Sequence, residues 1–249
     1  MTAPIRRLEE LALNAWPALQ TLHLNGWVLR FANGYTRRAN SVNPLYAPSG
    51  DLSATLDAAE AHFARRGLPP VFKLTPASQP SELEAALAAR GYAEDARTSV
   101  QTLDLRGRDF AAPNLTHIAP AVTDDWLSAV YALAAIPERH RPTLRQMLSL
   151  LAPAAAFATL AEGGQVVACG LAVLEAGHVG LFDLVTDPAH RRQGHARRLI
   201  LDLLAWAQAQ GAHTSYLQVM LNNPPALALY AGLGYQEQYQ YWYRVRAGA

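Results

Sequence analysis

Cysteine is almost absent: Cys169 is the only one in 249 residues. A lone thiol excludes an internal disulfide and any cysteine-built zinc cage within a single chain, so no metal is expected. It lies in the strand-like run "QVVACGLAV", where a buried and inert thiol is the expectation. Lysine is equally scarce, with Lys73 alone, and every other basic side chain among the 21 Lys and Arg is arginine. A surplus of charge is missing too. The formal net charge is +1, which argues against a nucleic-acid partner held by bulk electrostatics. No apolar run reaches the roughly 18 residues of a membrane span, and no membrane partner is expected. The opening "MTAPIRRLEELALNAW" lacks the n-region and apolar h-region of a secretory signal, so a cytoplasmic location is expected. What remains is an ordinary globular composition, 51% hydrophobic and 16% charged, with a length that suits one large or two small domains.

The second half is the clearer one. "TDDWLSAVYALAA" (123–135) reads as a helix with a Thr cap and acidic residues in its first turn, and "RPTLRQMLSLLA" as a second helix. Three strand-like runs follow, "AAFATLAEG", "QVVACGLAVLEAG" and "HVGLFDLVTD", joined by Gly-containing turns. Ala196, Leu199, Ile200, Leu203, Leu204 and Ala207 then form the apolar stripe of a helix laid on a sheet, closed by Gly211. "HTSYLQVM" is another strand, "PPALALYAGLG" a short helix, and "YQEQYQYWYRVR" a terminal strand or pair. The order implies an α/β fold with a mixed sheet flanked by helices.

The first half repeats this pattern. "SELEAALAARGYAEDARTSVQTLDL" and "PALALYAGLGYQEQYQYWYRVR" both run from a small-residue helix through Gly-Tyr into a polar-aromatic strand, at an offset of 234 − 91 = 143 residues. Phe63 falls on Trp206 at that offset, and after a one-residue slip at the following glycine "VFKLT" faces "SYLQV". A repeat of this size implies two like domains in tandem: 1–106, a linker over 107–116 within "GRDFAAPNLTH", and 117–249.

The chemistry concentrates at "TDPAHRRQGHARR". Positive side chains crowd a helix start, already the positive end of the helix dipole, and such an arrangement is unfavourable unless an anion sits on it. Gly194 permits close backbone approach, and the N–H groups from about Arg192 to Arg197, Gln193 and His195 included, point out of the helix start. Further on, "NPPALALYAGLGY" is an N-x-x-A-x-x-L-Y-x-x-x-G-Y string, with Asn223 as a good N-cap before Pro224 and Tyr230 two turns on.

These two motifs carry a resemblance. Residues 116–246 resemble the GCN5-related N-acetyltransferases, the GNAT family: Arg191, Gly194 and Ala196 match Q/R-x-x-G-x-G/A with Ala in the last place, and "LQVMLNNPPALALYAGLGY" matches the later signature. The resemblance implies two tandem GNAT-like domains, the C-terminal one intact and the N-terminal one degenerate. It implies that the anion is the pyrophosphate of acetyl-CoA, held by Arg191, Arg192, Gln193, Gly194, His195, Ala196 and Arg197. It also implies that Leu184, Val185 and Thr186 hold the pantetheine through backbone groups of a splayed strand, that Asn223 steadies its amide region, and that Tyr230 reaches the sulfur. On that basis Tyr230 is the candidate acid for the leaving thiolate and Asp183 a candidate base, with Glu175 as another carboxylate on these strands. The implied acceptor is a primary amine of a small molecule or peptide, and the protein a monomer or homodimer. A non-catalytic acyl-CoA-binding module and transfer of a longer acyl group stand as alternatives.

The N-terminal copy departs from the pattern. Leu87 stands where Tyr230 does (230 − 143 = 87), and "YAPSGDLSATLDAAEAHF" replaces the arginine-glycine turn. Trp27 and Tyr35 are candidates to wall an acceptor pocket or pack on the other half, and Arg37 and Arg38 to recognise an acidic acceptor.

Overall fold

The computed structural model describes residues 2–110 and 116–246. Their contacts divide into two compact units, one of residues 1–100, 219–224 and 237–249, the other of 101–218 and 225–236. A cut at 107–116 would leave the last strand with the second half; by contacts it groups with the first. The linker residues 111–115 lie outside the described residues, while Thr116, the last of the expected linker, already begins a strand.

The first unit holds α1 (Thr2–Ala15), β1 (Gln20–Leu24), β2 (Trp27–Phe31), β3 (Val42–Asn43), α2 (Leu52–Ala64), β4 (Val71–Leu74), α3 (Leu83–Ala89) and most of β5 (Tyr92–Asp104). Its sheet runs β1-β2-β3-β4 and continues into the final strand of the chain, Gln236–Arg246, which lies antiparallel to β4 with Trp242 opposite Leu74 and Val245 opposite Val71. The core is Trp27, Phe31, Leu56, Phe63, Phe72, Leu74, Leu87 and Tyr92 with their neighbours. The chain's one lysine is spent here. Lys73 is 4% exposed, bonds the Glu9 carboxylate of α1 and lies 4.1 Å from the Tyr241 ring centroid, while Tyr239 donates to the same Glu9 at 2.7 Å. Both charges are buried, and both are paired, as desolvation requires.

The second unit holds β6 (Thr116–Ala119), α4 (Asp124–Leu133), α5 (Arg141–Ser149), β7 (Ala154–Glu162), β8 (Gln165–Glu175), β9 (His178–Thr186), α6 (His195–Ala209), β10 (Thr214–Met220) and α7 (Pro224–Leu233), so the final strand is β11. Its sheet order is β10-β9-β8-β7-β6, antiparallel except for the parallel β10–β9 pair. Thr123 caps α4 by accepting from the Trp126 amide at 3.1 Å, with Asp124 and Asp125 in the first turn, as the sequence pattern predicts. Leu199, Ile200, Leu203, Leu204 and Ala207 form the buried face of α6, and Gly211 (φ 88°) ends the chain's excursion along it. The centre of β8, Val167–Val173, is buried throughout, as a strand covered on both faces must be. The terminal segment forms a single strand, not a pair.

No helix among the described residues is long and apolar enough to cross a membrane.

Candidate active site

The site is built on a defect in β9. Cys169 pairs with Val185 and Leu171 with Phe182, so Gly170 alone faces two residues, Asp183 and Leu184. This is a β-bulge, with Asp183 in the left-handed region at φ 46°. Across the ladder stands Gly170, where a Cβ would lie 2.7 Å from Leu184 Cδ2 and 3.2 Å from Leu199 Cδ2. The Gly170 carbonyl accepts from the Trp126 indole at 3.1 Å, and Trp126 packs edge-on to Phe157 at 5.1 Å, which fixes the kinked segment from below.

Pairing of β9 with β10 ends at Leu181–Leu217. Beyond it, Phe182–Thr186 pairs with β8 on one edge and has no ladder to β10 on the other. An extended backbone with one free edge is a template for adding a strand-like ligand. Leu184, Val185 and Thr186 are half-buried there, as is Asp183 before them.

Asp187 anchors the strand's end: its amide donates to the Val167 carbonyl at 2.8 Å, and its carboxylate accepts from the Ala189 amide at 2.8 Å. The chain then turns through Arg192 (φ 64°) and Gly194 (φ 85°) into α6. Gly194 is the N-cap and supplies no side-chain oxygen, no acidic residue stands in the first turn, and a Cβ there would meet nothing within 4 Å. The first intrahelical amide bond is Arg198 to the Gly194 carbonyl, so the preceding amides open outward.

Arg191, Arg192, Gln193 and Arg197 are exposed, and Arg198 half-buried. Among the described residues these four arginine side chains have no partner, whereas every other arginine has a carboxylate, carbonyl, imidazole or ring. Ala196 is half-buried, while the His195 side chain is buried and turned to Glu162, with Nε2 3.1 Å from Oε2. His195 therefore offers the outside only its backbone amide.

Tyr230 lies on α7 at 9% exposure, and burial alone raises its phenol to about 12. Its ring meets Tyr235 edge-on at 5.9 Å, and Tyr235 is fixed by a 2.6 Å hydroxyl bond to the buried Ser215. This Tyr235–Ser215 buttress escapes sequence reasoning, although the Gly-Tyr pair after the helix was the available signal. Asn223 immediately precedes α7, with its amide donating to the Met220 carbonyl at 3.0 Å, and falls in the first unit by contacts. Asp183 is half-buried at the bulge, and Glu175 closes β8 opposite His178. Cys169 is fully buried, and burial pushes its thiol up to about 12, with the nearby Asp183 charge adding to the shift, so it is inert as expected.

The first unit handles the corresponding positions differently. The start of α2 is capped by Asp51, whose carboxylate accepts from the Ala54 amide at 2.9 Å. A fixed negative charge thus stands where α6 leaves open amides. Past the ends of β3 and β4 the Gln79 amide donates to the Pro44 carbonyl at 3.0 Å, and the Trp27 indole to the Gln79 carbonyl at 3.0 Å. Trp27 is a core residue at 0% exposure. Arg37 is paired with Asp95 at 2.6 Å, and Arg38 lies over the Trp16 ring at 4.6 Å, so each has a partner within the unit. No cluster of three or more His, Cys, Asp or Glu able to hold a metal occurs among the described residues.

The model of the family described as "Probable histone acetyltransferase Rv0428c C-terminal" matches residues 2–244. The uncharacterized N-acetyltransferase YobR of Bacillus subtilis is 29% identical over 248 residues, 97% of this chain and 98% of that protein. A GCN5-related N-acetyltransferase from Kribbella flavida superposes with a TM-score of 0.71 at 16% identity, covering 98% of this chain and 96% of its own. A tandem GNAT protein from the clavulanic acid biosynthesis pathway does so with a TM-score of 0.65 at 15% identity, covering 97% and 88%. With an open, arginine-lined helix start beside a bulged and splayed strand, and with these likenesses, the chain belongs to the Rv0428c C-terminal family, acyl-CoA-dependent N-acetyltransferases of the GNAT fold.

Proposed function

We propose that the second unit binds acetyl-CoA and transfers its acetyl group directly to a primary amine of a small molecule or peptide. The observation that carries this reading is the α6 start, where Gly194 leaves the first-turn amides open and four arginines have no partner among the described residues. Amides and arginines there suit a diphosphate, and Arg191, Arg192, Gln193, Gly194, His195, Ala196 and Arg197 are the residues that hold it, His195 through its backbone. The free edge of Leu184–Thr186 takes the pantetheine arm as an added strand.

The amine nitrogen attacks the thioester carbonyl carbon, the C–S bond breaks, and the thiolate takes a proton from the Tyr230 hydroxyl. Solvent returns that proton to the phenolate. With burial raising its phenol to about 12, Tyr230 is protonated through the physiological range, so the form that carries the proton is the populated one. Asp183, on the bulge, accepts the proton that the acylated nitrogen gives up. Proximity supplies much of the acceleration, because the donor is gripped along its whole length.

The first unit is a degenerate copy that takes no acetyl-CoA. The Asp51 carboxylate repels a diphosphate at α2, Leu87 stands in place of Tyr230, and the Gln79–Pro44 bond closes the strand ends that stay open in β9 and β10. The family description favours an amine on a peptide. The deciding experiment is release of free CoA from acetyl-CoA, followed with a thiol reagent, against amines, amino acids and basic peptides. Release with at least one amine is expected; acetyl-CoA binding without release for any amine would leave a binding module instead.

A further inference from the structure

His195 is an odd residue to place first in α6. A basic imidazole gains nothing from the helix dipole there, and its side chain is 4% exposed. Neither ring nitrogen makes a well-directed hydrogen bond, although Nε2 lies 3.1 Å from a Glu162 carboxylate oxygen. Buried polar atoms left in this state call for an explanation beyond packing. Glu162 ends β7, so the contact ties the first residue of the helix to the tip of a neighbouring strand.

A matching tie holds the other end of the turn. Asp187 binds β8 through Val167, and its second carboxylate oxygen lies 3.4 Å from His190 Nδ1. The two imidazoles approach each other at 6.3 Å between centroids. The turn, with two residues at positive φ, and the helix start after it, whose arginines have no partner among the described residues, are thus held at both ends by a histidine–carboxylate contact.

We infer that His195, held by Glu162, is a positioning residue for the diphosphate of the acyl donor. It fixes the first turn of α6 so that the amides of Gly194–Arg197 keep one direction, and it acts through that backbone without touching the ligand. The inference rests on the acetyl-CoA reading above.

Its test separates the two ends of the donor. Dissociation constants are measured for CoA by calorimetry and for pantetheine, which lacks the diphosphate, by ligand-observed NMR, in the wild type, His195→Ala, His195→Gln and Glu162→Ala. His195→Ala is expected to weaken CoA about tenfold, roughly 1.4 kcal/mol, and to leave pantetheine within twofold. His195→Gln, which keeps bulk and a donor toward Glu162, should recover most of the loss. Glu162 has a 57% exposed side chain, so Glu162→Ala folds whatever happens to His195→Ala, and should weaken CoA about threefold. Unchanged CoA affinity in both alanine variants, or equal weakening of CoA and pantetheine, would overturn the role of His195 alone. Wild-type protein that binds CoA no better than pantetheine would remove the diphosphate reading and this inference together.

Discussion

Two glycines at opposite ends of α6 allow the anion-site reading to be tested against its own control. Gly194 precedes the helix at φ 85° and Gly211 follows it at φ 88°, and a Cβ at either would meet nothing within 4 Å. Alanine at each position therefore costs only the left-handed backbone, about 1–2 kcal/mol, with no steric term. Gly211→Ala should lose that stability in full, a few degrees in Tm for a chain of this size, and Gly194→Ala as much or less, because its turn can relax. Their effects on the donor should differ. At Gly211 the strain is remote from the site, and the KM for acetyl-CoA should stay at the wild-type value. At Gly194 the strain is relieved by turning the first-turn amides away from the ligand. Up to the full 1–2 kcal/mol then appears as a loss of donor affinity, roughly 5- to 30-fold in KM. The assay is a pair of thermal melts beside acetyl-CoA titrations of CoA release, with CoA calorimetry as a check free of the acceptor. Equal KM changes in both variants, or none in Gly194→Ala despite the expected fall in Tm, would refute the claim that this turn cradles the diphosphate.

Tyr230→Phe should lower kcat by about a hundredfold, within the range for a lost general acid, and leave CoA affinity within twofold; full turnover by the variant would remove the phenol from the chemistry. Asp51→Ala should cost about 1 kcal/mol of stability as a lost helix cap and leave the KM for acetyl-CoA untouched, and a change in that KM would place a donor site in the first unit. Alkaline stability provides a fourth check. The Tyr230 phenol titrates near 12 in the fold and near 10 in the unfolded chain. The unfolded chain thus releases its proton first, and stability fully present below pH 10 is lost as pH rises toward 12. For this group alone that amounts to about 3 kcal/mol. Burial raises Tyr92, Tyr235 and Tyr243 in the same direction, so denaturant midpoints should fall steeply above pH 10, and a midpoint flat to pH 12 would contradict the burial of these rings.

The readable parts of this molecule are those whose physics is local. The Thr123 cap, the apolar stripe of α6 and the two glycines at its ends follow from residues within a turn or two of one another, and they stand where the pattern puts them. The arginine turn was legible for the same reason, since unfavourable charge at a helix start is visible in a dozen residues. Pairing is not local. The alternation in β11 fits any neighbour, so nothing in "YQEQYQYWYRVR" says that it lies against β4 and joins the first unit. β6 escaped because four residues beside a Pro- and Asn-rich stretch carry too short a period to read. The bulge is the clearest case. It needs Gly170 on one strand, Leu184 on the next and Trp126 on a helix more than 40 residues upstream. Asp51 differs from all of these. A cap before an amphipathic run is a local signal, yet its consequence emerges only when α2 and α6 are compared: one helix start carries its own carboxylate, and the other has four arginines with no partner among the described residues. At the offset of 143 residues Asp51 falls on Gly194, and on the function proposed above that one carboxylate at the cap is the difference between a helix dipole spent inside the fold and one offered to a ligand.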